Sequence, residues 1–188
     1  MQYHILKKEN IKTSIWAGGE THEIAIYPFS SLYKDRNFIF RISFADCLID
    51  SSDFTPLPDY DRKLSLIDGN VRLKLLDKNT EKELSPYEVF SFGGEERIQS
   101  FGKCRDFNLM TRKGTAEGEL IPFKEGTVTQ HIKDKEILCI FVSEGSLYMQ
   151  GKEDLEISSM EGVLLEGEGD VVLNSKGRGF LAKVSLKK

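Results

Sequence analysis

Apolar and polar residues alternate with a period close to two through most of the chain, in short runs broken by glycine, asparagine and aspartate. The first runs predict strands at Tyr3–Lys7, Lys12–Trp16, His22–Tyr27, Phe38–Phe44, Lys63–Ile67, Val71–Leu75, Glu88–Phe92, Arg97–Phe101 and Asp106–Met110. A second series predicts Ala116–Ile121, Gly126–His131, Ile137–Val142, Ser146–Gln150, Leu155–Ser158, Gly162–Leu165, Asp170–Leu173 and Gly179–Leu186. The best helical candidate is a single turn over Ser31–Arg36, so the expected fold is all-β.

Two turns, Asp68-Gly69-Asn70 and Glu144-Gly145-Ser146, each separate two apolar runs and predict hairpins. Downstream of each comes a polar stretch, a strand, a Gly-acid turn (Gly93-Gly94-Glu95-Glu96 and Gly167-Glu168-Gly169-Asp170) and a further strand. The sequence thus repeats at an offset of about 75 residues, the mark of two similar β-units. Repeated glycine-centred strand pairs predict double-stranded β-helices, hence a bicupin: one body over residues 1–188, with an N-terminal β-unit at 1–112 and a C-terminal one at 113–188. The polar, glycine-bearing stretch Lys113–Glu119 is the expected passage between them.

Length suits one large domain or two small ones, and the 12 Phe with an ordinary apolar fraction indicate a packed core. A formal charge of −4 with interspersed signs leaves no basic stripe for phosphates, which argues against nucleic acid as a partner. No apolar run approaches the roughly 18 residues of a membrane span, and the start Met1-Gln2-Tyr3-His4 lacks a signal-peptide apolar region; the expectation is a cytoplasmic protein away from membranes. Cys47, Cys104 and Cys139 are widely spaced without a C-x-x-C pair, which suits reduced thiols.

Candidate chemistry concentrates in Asp106-Phe107-Asn108-Leu109-Met110-Thr111-Arg112. In a strand, Asp106, Asn108, Met110 and Arg112 share one face and Phe107, Leu109 and Thr111 the other. On a solvated sheet this row is ordinary; inside a barrel it is a polar floor for a small ligand. Arg41, Arg62 and Arg112 stand in or beside strands, and a guanidinium buried there needs a carboxylate, from Glu23, Asp61 or Asp106 or from a ligand. Trp16, the single tryptophan, is either core or a pocket wall beside Gly18-Gly19, whose small residues permit a close approach. The three histidines, His4, His22 and His131, include no H-x-H pair with a downstream Glu, and His22-Glu23 with His131 is a weak metal set; no metal and no cofactor are expected. No G-x-S-x-G elbow or phosphate loop occurs.

Taken in order, these residues resemble the HutD/Ves family. The resemblance runs from Trp16 and Gly18-Gly19-Glu20-Thr21-His22-Glu23-Ile24 through Phe40-Arg41-Ile42-Ser43, Asp53-Phe54-Thr55, Leu57-Pro58, Tyr60-Asp61-Arg62, Asp68-Gly69, Phe90-x-Phe92 and Asp106–Arg112. It covers about Ile11 to Arg112 and weakens beyond. It implies a bicupin without a metal site, from a family whose members accompany histidine-utilisation genes or act in stress responses, one proposed role being to sense or buffer a small carboxylate of histidine breakdown. By position it implies ligand contacts at Trp16, Thr21, Glu23, Arg41, Arg62, Asp106, Asn108, Met110 and Arg112. His22 stands where the family often has Arg, and Phe54-Thr55 where it has Phe-Ser.

The leading expectation is a metal-free, non-enzymatic holder of a small anionic carboxylate metabolite. Its rivals are an isomerase or lyase in which Glu23 or Asp106 takes a proton, and an interaction scaffold whose strand edges leave a homodimer open.

Overall fold

The computed structural model describes residues 1–151 and 154–187. Among these, nineteen strands and two 3₁₀ turns, Lys8–Asn10 and Tyr33–Asp35, make up the regular structure. The chain divides into two compact units, one of Lys12–Gly118 and one of Met1–Ile11 with Glu119–Lys188.

After β1 (Gln2–Leu6), the unit of Lys12–Gly118 contains β2 (Lys12–Trp16), β3 (Gly19–Tyr27), β4 (Phe40–Cys47), β5 (Ser51–Asp53), β6 (Tyr60–Gly69), β7 (Val71–Leu75), β8 (Thr80–Leu84), β9 (Phe90–Gly93), β10 (Ile98–Phe101) and β11 (Cys104–Arg112). They form a sheet in the order β2-β3-β4-β11-β6-β9 and a second in the order β5-β10-β7-β8. The other unit adds β12 (Ala116–Phe123), β13 (Gly126–Ile132), β14 (Glu136–Glu144), β15 (Ser146–Gln150), β16 (Leu155–Ser158), β17 (Glu161–Glu166), β18 (Gly169–Ser175) and β19 (Arg178–Leu186). Its sheets run β1-β17-β14-β19-β12 and β13-β18-β15-β16. Adding eight to each strand number turns β4-β11-β6-β9 and β5-β10-β7-β8 into the orders of the second unit, so the internal repeat is a repeat of topology.

The two glycine turns differ from the hairpins the sequence suggests. β6 and β7, like β14 and β15, lie in different sheets, so each turn carries the chain around a corner of its unit. Gly69 and Gly145 make these corners at φ +86° and +78°, where a Cβ would come within 2.5 Å of the Lys103 carbonyl oxygen and 2.4 Å of that of Lys176. Hydrophobic runs on both sides of a tight turn signal a reversal equally well whether the strands pair or part.

Two strands escape the alternation rule. β8 is the polar run Thr80-Glu81-Lys82-Glu83-Leu84 on a sheet edge, held to β7 partly by Arg72–Glu81 at 2.7 Å, and β5 is only three residues long. Charge on an edge strand discourages further pairing and erases the apolar signal together. The expected turn over Ser31–Arg36 is the 3₁₀ turn Tyr33–Asp35.

The expected division at residue 112 is corrected at the N-terminus. β1 pairs with β17 over Gln2↔Glu166 to Leu6↔Gly162, which binds the first eleven residues to the unit of 119–188. Ladder hydrogen bonds outweigh sequence proximity here. The passage turns at Gly114 (φ +75°) and the units part after Gly118, inside the stretch Lys113–Glu119.

The two interiors differ. That of the 119–188 unit is aliphatic, with Leu138, Ile140, Val142, Leu147, Met149, Val163, Leu165 and Leu181 at 3% exposure or less. The interior of the 12–118 unit holds one cluster around Leu64, Leu66, Leu73, Leu84 and Phe92 and another around Ile26, Phe38, Leu57, Tyr60 and Met110. Leu64 from the first and Met110 from the second both border a cavity of about 300 Å³.

Candidate functional site

The cavity is built chiefly on four neighbouring strands. Thr21 projects from β3, Arg41, Ser43, Ala45 and Cys47 from β4, Asp106, Asn108 and Met110 from β11, and Arg62 and Leu64 from β6. Each set is spaced by two residues, as one face of a strand requires. Tyr33 and the segment Ser52-Asp53-Phe54-Thr55 close other sides, and Trp16, 39% exposed, stands at the wall.

Two bulges adjust which side chains look inward. On β3 the register passes from Glu23↔Ser43 to Ala25↔Ile42, leaving Ile24 extra, and Glu23 is directed to Arg41. On β6 it passes from Asp68↔Arg105 to Leu66↔Asp106, leaving Ile67 extra, while on β11 Asp106 faces the cavity alongside Asn108 by strand alternation.

The arginines have different surroundings. Arg41, 5% exposed, has a carboxylate partner: Nε donates to Glu23 Oε2 at 2.8 Å, Nη1 donates to Ser43 Oγ at 3.2 Å, and the Tyr33 ring lies 4.3 Å from the guanidinium carbon. Arg62, 7% exposed, differs. Its Nη1 donates to the Thr55 carbonyl at 3.3 Å, its guanidinium sits 5.3 Å and 4.9 Å from the Phe54 and Phe92 rings, and its Nε has no hydrogen-bond partner. Among the described residues no carboxylate forms an ion pair with it. Burial pulls its pKa down to about 10, against the opposing influence of Tyr33 and Asp106. Nearby, the buried Asn108 leaves Oδ1 without a partner.

Burial likewise pushes the Asp106 carboxyl up to about 7; the Arg62 charge works against the shift and that of Asp46 adds to it. The cavity therefore holds one paired cation, one unpaired cation and a carboxyl poised between its neutral and charged forms near neutral pH.

Of the nine sequence candidates, the structure brings Trp16, Thr21, Arg41, Arg62, Asp106, Asn108 and Met110 to the cavity. Glu23 stands behind Arg41 as its counter-ion. Arg112 is a correction: its side chain donates from Nε to the Phe38 carbonyl at 3.0 Å and from Nη2 to the Arg36 carbonyl at 2.5 Å and to Tyr60 Oη at 2.7 Å. It fastens the strand's end because those carbonyls lie there, and strand alternation alone cannot distinguish the end of a row from its middle. Asp61 is exposed and forms none of the expected ion pairs with the three arginines. Sequence reasoning missed Ser43, Tyr33 and the Ser52–Thr55 wall; Ser43 was legible as the residue two beyond Arg41.

The repeat shows what is particular to this unit. Arg62 and Leu138 both stand seven residues before their corner glycine, and Asn108, opposite Leu64, matches Leu181, opposite Ile140. Where one unit packs aliphatics, the other leaves polar groups around a space.

Fold and site define a bicupin with a polar cavity inside its 12–118 unit. The HutD family model matches residues 8–182, and the chain belongs to that family. Protein Ves of Cronobacter sakazakii is 27% identical, over 89% of this chain and 98% of that protein. An uncharacterised 21.2 kDa protein from the hutC 3′ region of Pseudomonas putida is 26% identical over 97% of each. The structure of HutD from Pseudomonas fluorescens, in a formate condition, superposes over 100% of both chains with a TM-score of 0.83 at 21% identity. The fold likeness reaches an oxalate decarboxylase variant of Bacillus subtilis, with a TM-score of 0.67 at 6% identity over 98% of this chain and 77% of that one. No helix among the described residues is long and apolar enough to cross a membrane.

Proposed function

We propose that the chain binds a small carboxylate metabolite in the cavity of the 12–118 unit, with Arg62 as the anchor. The observation that carries this reading is the contrast between two buried guanidiniums a few residues apart in space: Arg41 has its own carboxylate, while Arg62 has an unsatisfied Nε and faces open volume. A buried cation without a counter-ion is costly, and a planar carboxylate fits the guanidinium fork. Thr21, Ser43 and Asn108 add hydrogen-bonding groups around the same space. The relative from the hutC region supports a place beside histidine utilisation.

Thermal denaturation with urocanate, glutamate, N-formyl-glutamate and formate tests the reading. A ligand at 100 times its dissociation constant adds about 2.7 kcal/mol to the folded state, a readily measured rise in Tm. No shift with any of these acids removes the proposal.

A second reading rests on Asp106. A carboxyl that titrates near pH 7 beside an unpaired cation is suited to accept a proton from an acid held by Arg62, as an isomerase or lyase requires. Turnover of a bound acid, lost in Asp106→Asn, favours the enzyme; binding without turnover favours the holder.

A further inference from the structure

On the face of β3 and β4 opposite the cavity, three metal-ligating side chains converge. Thr21 and Ala45 border the cavity, so their neighbours Glu20, His22 and Asp46 project the other way. His22 Nε2 lies 3.3 Å from Glu20 Oε1 and 3.5 Å from Asp46 Oδ2, and one donor atom from each residue falls within 4.8 Å of the others. We propose that Glu20, His22 and Asp46 form a binding site for a divalent first-row transition ion, of which Zn(II) is the representative probe.

The spacing is the first argument. Zinc bonds of about 2.0–2.1 Å to nitrogen and oxygen set tetrahedral donor atoms about 3.3–3.4 Å apart. Both His22 distances lie close to that edge length, and the exposed Glu20 side chain can bring the third donor, within 4.8 Å, to it.

The surroundings are the second. A ligating imidazole has its other ring nitrogen held by a neighbour, and His22 Nδ1 is 2.9 Å from Thr13 Oγ1 on β2. The ring also stacks on Phe44 with centroids 4.3 Å apart and planes at 18°. Asp46 is held by Arg105 of β11, whose Nε donates to Oδ1 at 2.6 Å, which leaves Oδ2 directed at the imidazole. Glu20, the most exposed of the three, supplies the adjustable ligand. One nitrogen and two carboxylate oxygens suit Zn(II) and its neighbours rather than an all-oxygen Mg(II) site. The ion takes the position of an imidazole proton and keeps one or more waters, since all three residues are partly exposed.

The sequence carries the signal as Glu20-Thr21-His22, an acid and a histidine two apart on one strand face, completed by Asp46 opposite Glu20. This proposal is independent of carboxylate binding on the other face.

The test is calorimetric titration of the metal-stripped full chain with Zn(II) in a non-coordinating buffer, with Co(II) absorption reporting the ligand field. One ion per chain is expected, reversed by chelator. His22→Asn abolishes it, Glu20→Gln weakens it about tenfold or more, and Thr13→Val, which removes only the support of the ring, weakens it by about 10–100-fold. His131→Gln, altering the pair His131–Asp170 elsewhere, leaves binding unchanged. Absence of binding by the unaltered chain overturns the proposal, as does binding that survives both His22→Asn and Glu20→Gln. Glu20→Gln keeps the test sharp should His22→Asn fold poorly.

Discussion

Replacing Arg62 with methionine is expected to raise the stability of the unliganded protein while abolishing carboxylate binding. The fall of the Arg62 pKa from 12.5 to about 10 reflects the net cost of its surroundings to its charge, burial chief among them. At about 1.4 kcal/mol for each factor of ten in proton affinity, that is about 3 kcal/mol. The sign follows from the direction: a base whose pKa is lower in the folded state destabilises that state at every pH where it is charged, so neutral pH shows the whole penalty. Against this stand the two aromatic contacts with Phe54 and Phe92, each contributing roughly 0.5–1 kcal/mol, and the bond to the Thr55 carbonyl, about 1 kcal/mol. Methionine keeps an unbranched apolar stem of similar reach, and the matching position of the other unit already carries Leu138. The net gain is at most about 1 kcal/mol, or up to roughly 2–4 °C in Tm for a chain of this length. Differential scanning calorimetry of both proteins, with and without formate, reads both effects. A lower Tm for Arg62→Met would refute the claim that the guanidinium is an uncompensated charge, and a retained formate shift would refute its role as anchor.

Glu23→Gln leaves Arg41 buried without its counter-ion and is expected to destabilise the fold by about 3 kcal/mol, seen as an earlier urea midpoint, whereas Glu23→Gln with Arg41→Met recovers most of that loss. Asp106 binds its proton more tightly when folded than the usual carboxylate, so stability of the unliganded protein should fall as pH rises from about 4 to about 7 and level off above; Asp106→Asn should flatten this slope in denaturant titrations at successive pH values. For the same reason a carboxylate ligand should bind up to about tenfold more weakly for each pH unit above 7 in the unaltered chain and without that dependence in Asp106→Asn. Gly69→Ala, forced to φ +86° with its Cβ against the Lys103 carbonyl, should cost about 1–3 kcal/mol, measured by urea denaturation.

The fold was legible in the chain because the same device recurs. Two runs of alternating strands, each pivoting on a glycine at Gly69 or Gly145, are enough to suggest paired β-units, and the shared strand order bears that out. What the pattern cannot convey is which strands pair across a turn; period-two alternation is the same for a hairpin and for a corner between sheets, and it says nothing of β1 reaching β17. Within the site, alternation found the row Asp106, Asn108, Met110 and the inward Arg41 and Arg62. It misjudged Arg112 because the attraction of the Arg36 and Phe38 carbonyls depends on a loop that only the folded chain brings near. The outer cluster was missed because Asp46 of β4 joins Glu20 and His22 of β3 only through the Glu20↔Asp46 register.

The proposed carboxylate site comes down to one guanidinium and the space before it. A crystal of the protein soaked in 3-bromopropionate, with diffraction collected at the bromine edge, tests it most directly. A single bromine peak is expected in the cavity lined by β6 and β11, with the acid's carboxylate on the Arg62 guanidinium. An empty cavity at saturating acid, or bromine only at surface lysines, would contradict it.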